Sequence, residues 1–174
     1  LIQRVVQILF QRKQYDEANR LLSQLERQQM PFSPELNLAS AETALRQREF
    51  DRALEMARKA ASQDSKNYRS HLWLGQLLGI LGRQKYAEAE DLRDKAVEAQ
   101  DTGKSIKAEK KLAEAEELLA EAERAFRESL KIEPQAAETW VALVQFFNAV
   151  KKEDKAEKTI AEIGEKLSAE QAPL

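Results

Sequence analysis

The sequence predicts an all-α fold, and three observations carry that expectation. Helix formers (Ala, Leu, Glu, Gln, Lys, Arg) fill nearly every segment. Alternating β-branched runs and Asn-Gly turns are missing, so nothing reads as a strand or a hairpin of strands. Pro31, Pro34, Pro134 and Pro173 interrupt no apolar-periodic stretch.

Taken in order, the segments repeat. "QYDEANRLLSQL", from Gln14 to Leu25, and "EFDRALEMARKA", from Glu49 to Ala60, each carry an aromatic, then an Ala three residues on, then apolar residues at helical spacing. Tyr15 and Phe50 stand 35 positions apart. Ser33-Pro34-Glu35 reads as an N-cap, a first-turn Pro and an acidic first turn. "AEAERAFRESLKIEPQAAETWVAL" and "KEDKAEKTIAEI" continue the series.

The pattern resembles the tetratricopeptide repeat (TPR) family. Ala122, Phe126, Leu130, Ile132 and Pro134 stand at the family's second-helix positions, and Trp140 and Leu143 at those of the next first helix. Leu74-Gly75 matches the family's Leu-Gly, and Ala18, Ala53 and Ala156 its small second-helix residue. Departures are Ser40-Ala41 in place of Leu-Gly, Val144 in place of Gly and Glu153 in place of an aromatic. The resemblance implies an α-α superhelix, a right-handed solenoid of helix pairs. It would form a single domain over 1–174, with repeats at about 1–32, 34–66, 68–134 and 137–168.

The third repeat is too long by 35 residues. Leu74-Gly75 fixes the frame of its first helix, and Phe126 with Ile132-Glu133-Pro134 fixes the frame of its second. The tetrapeptide AEAE occurs at Ala87, Ala113 and Ala120, and the frame makes the Ala120 copy the opening of the repeat helix proper. The excess is helical on both sides of a break at Asp101-Thr102-Gly103, which gives about five extra turns per arm. Apolar and small residues alternate at three and four positions along both arms. Going out they are Gly75, Leu78, Gly82, Lys85, Ala89, Leu92, Ala96 and Ala99. Coming back they are Ala108, Leu112, Ala115, Leu119, Ala122 and Phe126. The expectation is an elongated helical hairpin, with its added part at about 84–118, its tip near Gly103 and a kink at Gly82 as the main variant. Pairs such as Asp91/Lys95 and Lys110/Glu114 support its helices.

Composition narrows function by exclusion. The formal net charge is -2 and no basic block occurs, which argues against nucleic acid. No apolar run is long enough for a membrane span. Without cysteine, thiolate chemistry is excluded. The chain starts at Leu1 inside an apolar pattern and reads as a piece of something longer, so a missing targeting segment decides nothing. His71 is the only histidine and has no Glu-x-x-His partner, so neither a metal nor another cofactor is expected. Gly75, Gly79 and Gly82 lie at helical spacing and form no phosphate loop. The expected protein is non-catalytic.

What remains is binding. The resemblance places certain first-helix positions on a concave groove. They are Gln3, Gln7, Phe10 and Gln11 in the first repeat and Glu35, Leu38, Glu42 and Arg46 in the second. They continue with Arg69, Leu72 and Gln76 in the third and Glu138, Val141, Gln145 and Asn148 in the fourth. Gln7, Gln76 and Gln145 share one equivalent position, and such amides suit an extended peptide backbone. Gln3, Leu38, Leu72 and Val141 stand where the family's carboxylate clamp has lysine, so that ligand class is not expected. A protein or peptide partner is expected, through the groove, the hairpin or both. The alternative is self-assembly into a homo-oligomer, through the hairpin or through apolar ends at Leu1, Ile2, Val5, Ile160 and Ile163.

Overall fold

The computed structural model describes residues 1–170, with side chains to Lys166. Eight helices account for the described residues, and no strand is among them. They are α1 (Ile2–Gln11), α2 (Tyr15–Arg27), α3 (Pro34–Arg46), α4 (Phe50–Gln63), α5 (Tyr68–Ala99), α6 (Thr102–Ile132), α7 (Ala137–Ala149) and α8 (Glu153–Glu170). The helices sort into two compact units, Leu1–Leu74 and Gly75–Leu174, and the boundary falls within α5.

One local device recurs. Lys13, Arg48 and Lys151 adopt left-handed backbone (φ 58°, 62° and 57°), each two residues before a second helix starts. At Lys13 the amide donates to the Phe10 carbonyl and the Gln14 amide to Leu9. Arg48 and Glu49 repeat this on Leu45 and Ala44, as do Lys151 and Lys152 on Asn148 and Phe147. This is the Schellman closure, which satisfies the last carbonyls of a helix and reverses the chain. Three residues after each of these second helices begins, a small side chain is buried: Ala18, Ala53 and Ala156. The repeat unit is therefore visible as backbone geometry and not only as residue spacing.

The first unit packs α1 to α4. Val6, Leu22 and Leu36 form a core cluster, flanked by Ile2, Phe10, Leu21, Phe32 and Ala39. Ser33 caps α3, its hydroxyl accepting from the Leu36 amide at 3.3 Å, with Pro34 in the first turn. Ser40, standing where the family has Leu, is fully buried and joins a polar cluster. It donates to Glu26 at 2.5 Å, and Arg52 reaches Glu26 at 2.9 Å and Glu49 at 2.8 Å. A hydroxyl here requires partners because burying it unpaired is unfavourable.

In the second unit α5 and α6 form the long hairpin. Facing positions run in opposite directions one for one. Gly75 lies against Phe126, Gly82 against Leu119, Lys85 against Glu114 at 2.6 Å and Glu88 against Lys111 at 2.7 Å. Helix α5 is continuous through Gly82. The buried positions of the outer seam are Ala89, Ala96, Ala108 and Ala115, with Leu92 and Leu112 half-buried. The three AEAE copies play one role: the second alanine of each, Ala89, Ala115 and Ala122, is the buried one, and all lie inside the long helices. None opens a helix, because α6 already starts at Thr102.

The tip differs from the expectation at Gly103. The reversal is made at Gln100, in the left-handed region at φ 52°, and the Asp101 carboxylate caps α6 by accepting from the Lys104 amide at 3.1 Å. Gly103 lies in the first turn of α6 and has no positive φ. Ala99 is correspondingly exposed and ends outside the seam. A non-glycine residue in this region carries about 1–2 kcal/mol of strain. Gln100→Gly is therefore expected to stabilise the hairpin by about 1 kcal/mol, read as a higher urea midpoint at unchanged slope.

Candidate functional site

The second unit holds a groove of 450 Å³ between α5 and α7, floored by α6. Gly75, Gln76, Gly79, Ile80 and Arg83 line it from α5, Phe126 from α6, and Ala142, Gln145, Phe146 and Ala149 from α7. Their spacing on α5 follows from helix periodicity, since steps of three and four keep side chains on one face. The floor is aromatic: the Phe126 and Phe146 rings are 5.5 Å apart and tilted by 47°. Gly75 and Gly79 make this approach possible. A Cβ on Gly75 would lie 2.9 Å from the Phe126 ring, and one on Gly79 3.1 Å from that of Phe146. Helix α7 is seated by the Trp140 indole, which donates to the Pro134 carbonyl at 2.9 Å, and by the buried Ser129–Thr139 hydroxyl pair at 3.0 Å.

Of the expected binding positions, Gln76 and Gln145 meet in this groove. On the same helix α7, Glu138, Val141 and Asn148 are exposed. In the first unit Gln3, Gln7, Gln11, Glu35, Arg46 and Arg69 are exposed or partly so, and Phe10, Leu38 and Glu42 are half-buried. Leu72 is buried. Three of the first-unit positions gather around Tyr15. Its ring meets Phe10 edge-on at 5.5 Å, the Arg46 guanidinium stacks over it at 3.7 Å, and Glu42 pairs with Arg46 at 2.9 Å. Arg69 donates to the Tyr68 hydroxyl at 3.1 Å.

Two groove residues escape the sequence-based expectation, both on α5. Ile80 and Arg83, four and seven residues after Gln76, continue the same face and line the groove. The signal lies in the periodicity, but an ordinary repeat's first helix would end before it. Ile80 is 44% exposed although it is apolar. Arg83 donates its Nε to the Gly79 carbonyl at 3.2 Å.

The hairpin between residues 84 and 118 is held by different forces. Its seam is mostly alanine, which buries little apolar area. Its ion pairs stay within it: Lys85–Glu114, Glu88–Lys111, Asp91–Lys95, Glu90–Arg93 and Asp101–Lys104. Glu114 thus pairs across the seam with Lys85 rather than along the helix with Lys110. The hydrogen bond from Lys111, aided by Gln84, holds the Glu88 carboxyl below its ordinary value. That from Lys85 does the same for Glu114, and the Lys104 amide does so for Asp101. A lowered carboxylate pKa stabilises above the unfolded-state value, and this is lost as pH falls through the folded one. Acidification below about pH 4 is therefore expected to loosen this segment first. Amide protection of 84–118, corrected for intrinsic exchange, should fall there while that of α7 persists.

Val97 and Ile106, on either side of the tip, are 73% and 63% exposed. Val5 and Ile160 are also exposed, and His71 is half-buried in α5. Among the described residues no group of His, Cys, Asp or Glu is placed to hold a metal ion, and no helix is long and apolar enough to cross a membrane.

No protein-family model and no curated protein matches the chain. Among solved structures it is similar to TTC0263, a thermophilic TPR protein of Thermus thermophilus, at 20% identity over 92% of this chain and 87% of that one, with a TM-score of 0.41. It is also similar to MamA AMB-1 (19% identity, 95% and 96% covered, TM-score 0.41) and MamA MSR-1 (19%, 98% and 97%, TM-score 0.40). The fold is TPR-like on its own geometry: left-handed turns two residues ahead of second helices, and a buried alanine three residues after each of those helices begins.

Proposed function

We propose that this protein is a non-catalytic interaction scaffold that binds an extended protein segment in the groove between α5 and α7. The carrying observation is the combination of one exposed apolar side chain, Ile80, with two amide side chains, Gln76 and Gln145, on the groove walls. An exposed apolar wall supplies burial and a side-chain amide can both donate to and accept from a peptide backbone.

The test compares partners captured from source cells by the intact chain, by an Ile80→Glu variant and by a chain lacking residues 84–118, with circular dichroism confirming that each folds. Groove binding requires capture to survive the deletion and to be lost with Ile80→Glu. Loss with the deletion alone would move the binding surface to the hairpin. A second reading, self-assembly through the hairpin, is favoured by the exposure of Val97 and Ile106 at its tip. A monomeric mass across a wide concentration range would sink it.

A further inference from the structure

Resting on the groove reading above, we infer that the groove selects a segment carrying an acidic side chain, Asp or Glu, one to three residues from an apolar one. The apolar residue lies against the exposed Ile80 on the groove wall, and the carboxylate meets Arg83. Arg83 is the only charged side chain among the ten residues that line the groove. Its Nε is held by the Gly79 carbonyl at 3.2 Å, which fixes the base of the guanidinium at the groove wall. No carboxylate pairs with it among the described residues, whereas Lys85, two positions on, is matched by Glu114 at 2.6 Å. The exposed guanidinium therefore has donors directed to no acidic partner, next to the exposed apolar side chain of Ile80.

The other polar walls do not compete for this role. Gln76 and Gln145 are neutral and discriminate poorly between acidic and basic partners. One cation among apolar residues also fits a peptide better than a nucleic acid, which needs several phosphate contacts. The spacing follows from geometry. Ile80 and Arg83 are three residues apart on a helix, a rise of about 4.5 Å, and an extended peptide advances about 3.3 Å per residue.

The test is selection from a random dodecapeptide library with C-terminal amides, run on the intact chain and on Arg83→Glu and Ile80→Glu variants. The chain should enrich Asp or Glu within three positions of Phe, Leu or Ile. Arg83→Glu should exchange that preference for Lys or Arg and weaken the best original peptide by about tenfold or more. Binding of that peptide should weaken with added salt, and a free C-terminus should change it little. Selected peptides without acidic enrichment, or the same enrichment on Arg83→Glu, would overturn the inference. If those peptides still require Ile80, the groove reading stands without it. If no peptide is selected, or if Ile80→Glu leaves binding unchanged, both readings fall together.

Discussion

Phe126→Ala is expected to destabilise the second unit by about 3–5 kcal/mol, among the largest effects available to a single substitution in this chain. Phe126 is 2% exposed and sits where three helices meet. It faces Gly75 on α5, belongs to α6, and touches Phe146 of α7 ring to ring at 5.5 Å. A cavity here collapses poorly. Gly75 has no side chain to move into it, and α7 is held in place by Trp140 and by the Ser129–Thr139 pair. The residual volume keeps the penalty near the upper end of the range. Urea unfolding followed at the tryptophans would show a lower midpoint. Phe126→Leu, which keeps most of the volume, should lose far less.

Much of this was legible in the residues. Helix pairs follow from the spacing of Tyr15 and Phe50, and the long hairpin from the distance between two frames set by Leu74-Gly75 and Phe126. Those signals are strong because helix packing demands a small residue wherever two backbones approach closely. The tip was less legible. Glycine is the usual left-handed residue at a helix end, so Gly103 drew the turn toward itself. The structure instead uses Lys13, Arg48, Gln100 and Lys151, long polar residues with no local mark of a left-handed backbone. Asp101 lies inside the expected break, and its carboxylate caps α6 by accepting from the Lys104 amide. The site was half legible. Gln76 and Gln145 came from a repeat position, but Ile80 and Arg83 lie beyond the end of an ordinary first helix and reach the groove because α5 is elongated. Leu72, one turn before Gln76 on α5, is buried.

Gly82→Leu is expected to cost about 3 kcal/mol and to part the two arms of the hairpin. A single Cβ at Gly82 would already lie 2.7 Å from Leu119 Cδ2 and 2.8 Å from its Cγ, and 3.3 Å from the Ala115 carbonyl oxygen. Leu119 is buried and cannot swing clear, and the Ala115 backbone cannot yield without moving α6. The three further carbons of leucine have nowhere to go, and the gain in helix propensity over glycine, about 1 kcal/mol, does not offset the clash. Because the chain has no cysteine, spin labels can be attached at Asp94→Cys and Lys107→Cys alone, and the distance between them should lengthen and broaden. A double-mutant cycle separates the clash from propensity. Gly82→Ala should destabilise the native hairpin but stabilise one that carries Leu119→Ala, where the obstructing side chain is gone. Gly164→Ala is the matched control: a Cβ there meets nothing within 4 Å, so only the propensity gain remains. If Gly82→Ala and Gly164→Ala were equally stabilising, the close approach of α5 and α6 at Leu119 would not be what requires glycine at position 82.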